Sequence, residues 1–367
     1  MKTKIMKFGC LLMAMSLVGS VIFAQGKILN VYNWSDYIAE ETIPEFEKKT
    51  GIKVTYDVFD SNDVLFAKLL AGSTGYDLVV PSASFLAKQI KAGIFMKLDK
   101  SKLKNYGNLD ADIMKLLQNY DPNNDHSLPY LWGTTGIGYN VGKVKEILGD
   151  DAPVDSWDLV FNPKYASKLA ECGISMLDAA DELIPSALKY LGKNPGSFDT
   201  KDITKSAYEV LKKARPYVKY FHSSSYISDL ANGDICVAIG WSGDIIQAQT
   251  RALEAKNGVD IVYYIPKEGA GLWFDMISIP KDAKNVDEAY AMLDYLLEPE
   301  VMGAIVNYVA YPSANKAALK FVDKGIKSDP TIYPTDDVKK NLFTFATYPA
   351  KVQKILNRTW TKLKTEK

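Results

Sequence analysis

Indoles stand beside carboxylates at Trp34 with Asp36 and Tyr37, at Trp241 with Asp244, and at Trp273 with Asp275. Asp181 and Glu182 form a further acidic pair after CGISMLDAA. Taken together, these residue types suit the holding of an organic cation with an alkyl body. Ammonium groups offer only donors, so their partners must be carboxylates, carbonyls and hydroxyls. Aromatic faces attract cations, by roughly 0.5–2 kcal/mol each, and also cover methylenes. Carbohydrate sites use the same residue types, so composition alone leaves both ligands open. An aromatic beside an acid is also common in cores and at helix caps. What singles these clusters out is their recurrence at strand-to-loop junctions.

Other chemistries lack their residues. No G-x-G-x-x-G follows a strand, and there is no Walker A loop. Gly240-Trp241-Ser242-Gly243 places its second glycine one position too early for a nucleophile elbow. No H-E-x-x-H occurs, and His126 and His222 are the only histidines. Ser82 or Ser242 beside Asp244 is the best nucleophile pair, without an evident histidine partner to act as base near neutral pH. A soft-metal site is equally hard to assemble. The expectation is a binding protein with no catalytic residues, no metal and no cofactor.

The elements that must position these residues follow from periodicity. ILNVYNW (Ile28 to Trp34) reads as a strand, and IAEETIPEFEKKT as a helix stopping at Gly51. IKVTYDVF is a second strand, Ser61 to Leu70 a helix capped by Ser61 or Asn62, and YDLVVPS a short buried strand. This βαβαβ order implies a parallel sheet with helices on its faces, and ligands bind beyond the carboxyl ends of such strands. Trp34 to Tyr37 and Pro81 to Phe85 lie there. LPYLWGTTGIGYNV (Leu128 to Val141) suits a segment crossing between two lobes. ICVAIGWSGD is a buried strand ending at Trp241, and DIVYYIPKEGAGLWFDMISIP reads as two strands around a Gly-rich bend. VDEAYAMLDYLL, from Val286, is an amphipathic helix.

The length of 367 residues, with 47% apolar and 24% charged, fits two compact α/β domains. Lys plus Arg and Asp plus Glu number 44 each, and Lys2, Lys4 and Lys7 lie in the first ten residues. MKTKIMK, the apolar run FGCLLMAMSLVGSVIF and Ala24 have the three-part pattern of a cleaved secretory signal, here residues 1–24. Removing it leaves 41 basic against 44 acidic residues, no footprint for nucleic acid or an anionic membrane. No later segment is apolar for long enough to span a bilayer. The mature chain is expected to be exported, not membrane-embedded, and monomeric. Cys172 and Cys236 remain, and an oxidising compartment favours a bridge between them over two buried free thiols.

NWSDYI, KKTGIKVTYDVFDSN, LLAGSTGYDLVVPSASFL, TTGIGYNV, SYISDLANGDICVAIGWSGD, IPKEGAG and ANKAA together resemble the periplasmic polyamine-binding proteins of bacterial ABC importers. The putrescine-binding branch is the nearer, and the resemblance runs from about Ile28 to the C-terminus. It implies a type II periplasmic binding protein fold: α/β, two-lobed, with a hinge and a central ligand cleft. By analogy lobe 1 comprises residues 27–131 plus 268–309, and lobe 2 residues 132–267 plus 310–367. It also implies a polyamine ligand, putrescine first, delivered to an inner-membrane ABC permease from the periplasm. Alternatives on the same fold are a receptor for another organic cation and a chemosensory polyamine receptor.

Carried over residue by residue, Trp34, Ser35, Asp36 and Tyr37 match first-loop contacts, and Ser82 a hydroxyl contact. Asp275 matches a carboxylate for one terminal ammonium. Asp244, with Asp36 nearby, matches one for the other, and Glu182 one acting through water. Trp34, Tyr37, Trp241, Trp273 and Tyr311 would wrap the methylenes. Trp273 stands where putrescine-type members carry Phe and spermidine-type members Trp. Asp36, Ser84, Ala179 and Phe345 look putrescine-like or neutral.

Overall fold

The computed structural model describes residues 26–366, so the basic and apolar N-terminal stretch read as a signal lies outside the described residues. β1 (Ile28–Trp34) is buried at Leu29 and continuously from Val31 to Trp34. The helix Thr42–Thr50 ends where Gly51 takes a left-handed φ of 73°, as its position after the last periodic residue predicts. β2 (Lys53–Phe59) pairs parallel with β1 along seven residues, and β3 (Leu78–Val79) lies parallel on the other side of β1. Between them runs the helix Asn62–Ala71, capped by the Ser61 hydroxyl.

The remaining strands are β4 (Ser127–Asn140), β5 (Ile174–Met176), β6 (Val218–Phe221), β7 (Val237–Trp241), β8 (Ile261–Tyr264), β9 (Gly271–Ser278) and β10 (Phe343–Thr344). The sheet runs β2-β1-β3-β9-β4-β7-β5-β6, with β10 on β9 and β8 on β4. β4 is the crossing element expected from LPYLWGTTGIGYNV. Its first half pairs antiparallel with β9 from Ser127 to Thr135. Its second half pairs antiparallel with β7 on one edge and β8 on the other.

Two hydrophobic clusters flank that crossing. One gathers β1 to β3, β9 and the helices Val286–Leu296 and Pro299–Val309. The other gathers β5 to β8 and the helices Ala180–Tyr190, Ser242–Ala255 and Ala350–Thr365. Residues 310–345, placed with lobe 2 by analogy, contribute Tyr311, Ala318, Val322 and Phe345 to the first cluster. From Ala346 onward the C-terminal segment packs with the second. The physical reason is that Pro299–Val309 ends at Ala310 in a left-handed turn, and the chain folds back over the same helix, where Gly303 admits Phe321.

Cys172 and Cys236 are joined by a disulfide. Both residues precede the parallel pair β5 and β7, so the bridge ties their amino ends. It closes a separation of 64 residues, for which the chain-entropy limit is about 4 kcal/mol of stability. Replacing both cysteines by serine is therefore expected to lower the thermal midpoint clearly. Ligand affinity should be unchanged, because the site described below lies at the opposite, carboxyl ends of those strands. A calorimetric melt and a binding titration on the same variant check both halves.

Candidate functional site

The carboxyl ends of β1, β7 and the turn after β3 converge, together with the middle of β9, on one cavity. It is a narrow slot with about 490 Å³ of space between atoms, and it lies between the two clusters. Ten of the eleven expected ligand residues line it: Trp34, Ser35, Tyr37, Ser82, Glu182, Trp241, Asp244, Trp273, Asp275 and Tyr311.

Asp36 is the exception. Its backbone is left-handed (φ 53°), its side chain is exposed, and its carboxylate pairs with Arg251 at 2.7 Å. Asp36 thus stands outside the lining of the cavity in this structure. It acts on the site at one remove, as a negative charge near Asp244.

Each carboxylate is delivered by a local rule. Asp244 is in the first turn of the helix that starts at Ser242, directly after β7. Glu182 is in the first turn of the helix that starts at Ala180. Helix N-termini favour negative charge in that turn. Asp275 comes from the middle of β9, where a bridge to Ser82 joins it to the turn after β3.

Their partners are hydroxyls. Tyr226 and Tyr311 donate to the two oxygens of Asp244, at 2.7 and 2.6 Å. Ser82 donates to Asp275 at 2.6 Å, and its own hydroxyl receives the amide of Asn62 at 3.0 Å. Glu182 accepts from Thr135 at 2.5 Å and from the Trp241 indole at 3.4 Å. The Tyr37 hydroxyl faces Asp275 but meets no acceptor in hydrogen-bond geometry among the described residues.

Burial dominates the electrostatics. Asp244 and Asp275 are each 5% exposed and Glu182 is 9% exposed. Desolvation pushes Asp244 and Asp275 up to about 7 and Glu182 up to about 8, against the pull of the donated hydrogen bonds. Among the described residues none of the three forms an ion pair, so the cavity is short of positive charge.

The walls are aromatic. Trp34 and Trp241 meet edge to face at 5.6 Å, one from each side of the slot. The Trp34 indole is fixed by a bond to the Val80 carbonyl at 2.9 Å. Trp273 packs edge-on against Tyr311 at 5.2 Å, and Tyr311 likewise against Tyr37. Trp273 can sit there because residue 133 is glycine: a Cβ would fall 2.6 Å from the indole.

Gly243 has a comparable duty. A Cβ there would lie 2.5 Å from both the Tyr311 ring and the Val309 carbonyl. Gly243→Ala must displace the ring that holds Asp244. It is expected to lower stability by about 1–3 kcal/mol, with a loss of ligand affinity of about tenfold or more. A melt and a titration on one sample measure both.

Six lining residues escape a reading of residue types: Phe59, Asp60, Asn62, Ser223, Ser224 and Ile227. Asn62 is legible in the sequence only as a candidate helix cap.

Against known proteins, residues 41–335 match the family described as bacterial extracellular solute-binding proteins. The putrescine-binding periplasmic protein SpuD of Pseudomonas aeruginosa is 57% identical, over 98% of this chain and 99% of its own. The chain is a bacterial extracellular solute-binding protein. A second relative of this solute-binding protein, the putrescine-binding periplasmic protein PotF of Escherichia coli, is 55% identical over 97% of this chain and 96% of its own. Among solved structures, the spermidine/putrescine ABC transporter substrate-binding protein PotD of Streptococcus pneumoniae superposes with a TM-score of 0.74. It is 29% identical, covering 92% of this chain and 99% of its own. The fold is that of the type II binding proteins, as the resemblance implied. No helix among the described residues is long and apolar enough to cross a membrane.

Proposed function

We propose that this chain binds putrescine, or a diamine close to it, between two lobes and hands it to an inner-membrane ABC permease. The observation that carries the reading is the set of buried carboxylates without a protein cation. Asp275, with Ser82, takes one ammonium. Asp244, with its two tyrosine hydroxyls, takes the other, and Glu182 acts through water. Trp34, Tyr37, Trp241, Trp273 and Tyr311 cover the methylenes. The relatives named for putrescine, at 55–57% identity, support the same ligand.

The two hydrophobic clusters are the cores of the lobes, and β4 is among the segments that cross between them. The lobe boundaries follow the resemblance except that residues 310–345 go with lobe 1. The chain is exported by residues 1–24, works in the periplasm as a monomer, and carries out no reaction on its ligand.

A carboxylate at each end reads chain length, because a misplaced ammonium leaves a buried charge unpaired. Calorimetric titration of the mature protein, unfolded and refolded to strip carried-over ligand, tests the reading. Putrescine should bind one to one. Butylamine, with a single ammonium, should bind about thirtyfold more weakly or worse. Binding of maltose or glutamate with no response to any polyamine would overturn it.

A further inference from the structure

Glu182 takes its short hydrogen bond from a residue that does not line the slot. Thr135, fully buried on β4, donates to Glu182 Oε2 at 2.5 Å. The other oxygen, Oε1, is met among the described residues by the Trp241 indole alone, at 3.4 Å. One oxygen is therefore firmly held and the other is left for the slot. Burial and the neighbouring Asp181 push Glu182 up, and the Thr135 hydroxyl is the foremost pull against them.

Thr135 also has a particular place in the sheet. It is the last residue of β4 in register with β9, opposite Gly271, and the first in register with β7, opposite Trp241. β9 belongs to one hydrophobic cluster and β7 to the other, and Trp241 packs against both. The two groups that touch the Glu182 carboxylate are thus cross-strand neighbours at the point where β4 passes from one core to the other. Alternation along β4 puts residues 133 and 135 on one face and residue 134 on the opposite one. On the first face Gly133 admits the Trp273 indole, which lines the slot. On the other, the Thr134 hydroxyl meets the Tyr263 hydroxyl of β8 at 2.8 Å. The strand is pinned on both sides where Thr135 reaches Glu182.

We propose that Thr135 is a positioning residue for ligand binding: its hydroxyl fixes one oxygen of Glu182 to the crossing strand and so aims the other at the amine, or at the water in front of it. This inference deepens the diamine reading above and rests on it. Thr135 lies outside the slot, so it acts through Glu182. Its branched shape has a second duty, since β-branched side chains suit a buried strand. The two duties separate by substitution. Valine keeps the branch and loses the hydroxyl, whereas serine keeps the hydroxyl and loses the methyl.

The test is titration of putrescine into wild type, Thr135→Val, Thr135→Ser, Glu182→Gln and the double variant Thr135→Val/Glu182→Gln. Thr135→Val should lose about tenfold or more in affinity, as removal of a hydrogen bond to a charged group does. Thr135→Ser should stay within about threefold of wild type. On the Glu182→Gln background the valine should add a loss of less than about threefold, because the group through which Thr135 acts is already changed. A thermal melt on each variant shows that the fold persists; if the valine variant does not fold, Thr135→Ala takes its place in the cycle. A role in strand packing alone gives another pattern: valine tolerated and serine harmful, or the same loss with Glu182 as without it. Either result would overturn the proposal. A wild type that binds no polyamine would overturn the diamine reading as well, whereas tight putrescine binding with the packing pattern would overturn this proposal alone.

Discussion

Asp275→Asn should weaken putrescine binding by two to three orders of magnitude while leaving the ligand-free protein as stable as before, or more so. The substitution keeps shape and keeps an oxygen for the Ser82 hydroxyl, which lies 2.6 Å from the carboxylate. What it removes is the negative charge. Truncating one partner of a buried, hydrogen-bonded charge pair costs about 2–5 kcal/mol, or roughly 30- to several-thousand-fold in affinity. Most of that is the cost of leaving an ammonium buried and unpaired. In the ligand-free state the sign reverses. Burial disfavours the charge at Asp275, so a neutral amide there relieves the fold instead of harming it. Titration reads the first effect and a melt the second. An affinity within threefold of wild type would remove Asp275 from the site.

Affinity should also climb steeply with pH across the neutral range. Asp244 and Asp275 stand at about 7 and Glu182 at about 8 in the ligand-free protein. A diamine binds their ionised forms, so protons must leave as it enters. For two groups near 7 the affinity falls about a hundredfold from pH 8 to pH 6. Titration at pH 6.5 in two buffers of different ionisation enthalpy should show more than one proton released per ligand bound.

Stability without ligand should run the other way. These folded-state values lie above the unfolded carboxylate range near 4, so between about pH 4 and 7 the folded protein holds more protons than the unfolded one. Its stability from these groups is complete below pH 4 and lost as pH rises through 7 to 8. Saturating putrescine should flatten that slope above about pH 5, because the rise in affinity with pH offsets the loss of ligand-free stability. A pH-independent affinity would mean that the carboxylates are already ionised, or that they do not face the ligand.

Most of the architecture was legible because strong local signals agreed with the global fold. The β-branched and aromatic runs of β1 and β2, the Gly51 stop and a cap at Ser61 or Asn62 were legible from residue types and turn chemistry, and the structure places the cap at Ser61. The indole–carboxylate clusters converge because three of them sit on strands or just past strand ends of one sheet.

What escaped depends on long-range packing. Asp36 looked like a ligand residue by its neighbours in sequence, but it is drawn to Arg251, 215 positions away. The room for Trp273 is set by Gly133, on the neighbouring strand, and neither residue alone signals the other. Residues 310–345 carry no periodic marker of which core they join.

The central claim is that one diamine lies in the slot with a carboxylate at each end. A crystal structure of the refolded protein with putrescine tests it most directly. One nitrogen should lie within about 3 Å of an Asp275 oxygen and the other at comparable distance from Asp244 or a water held by Glu182, with the methylenes between the indoles of Trp34, Trp241 and Trp273. Putrescine found elsewhere, or bound in the slot with one ammonium facing no carboxylate, would contradict the account.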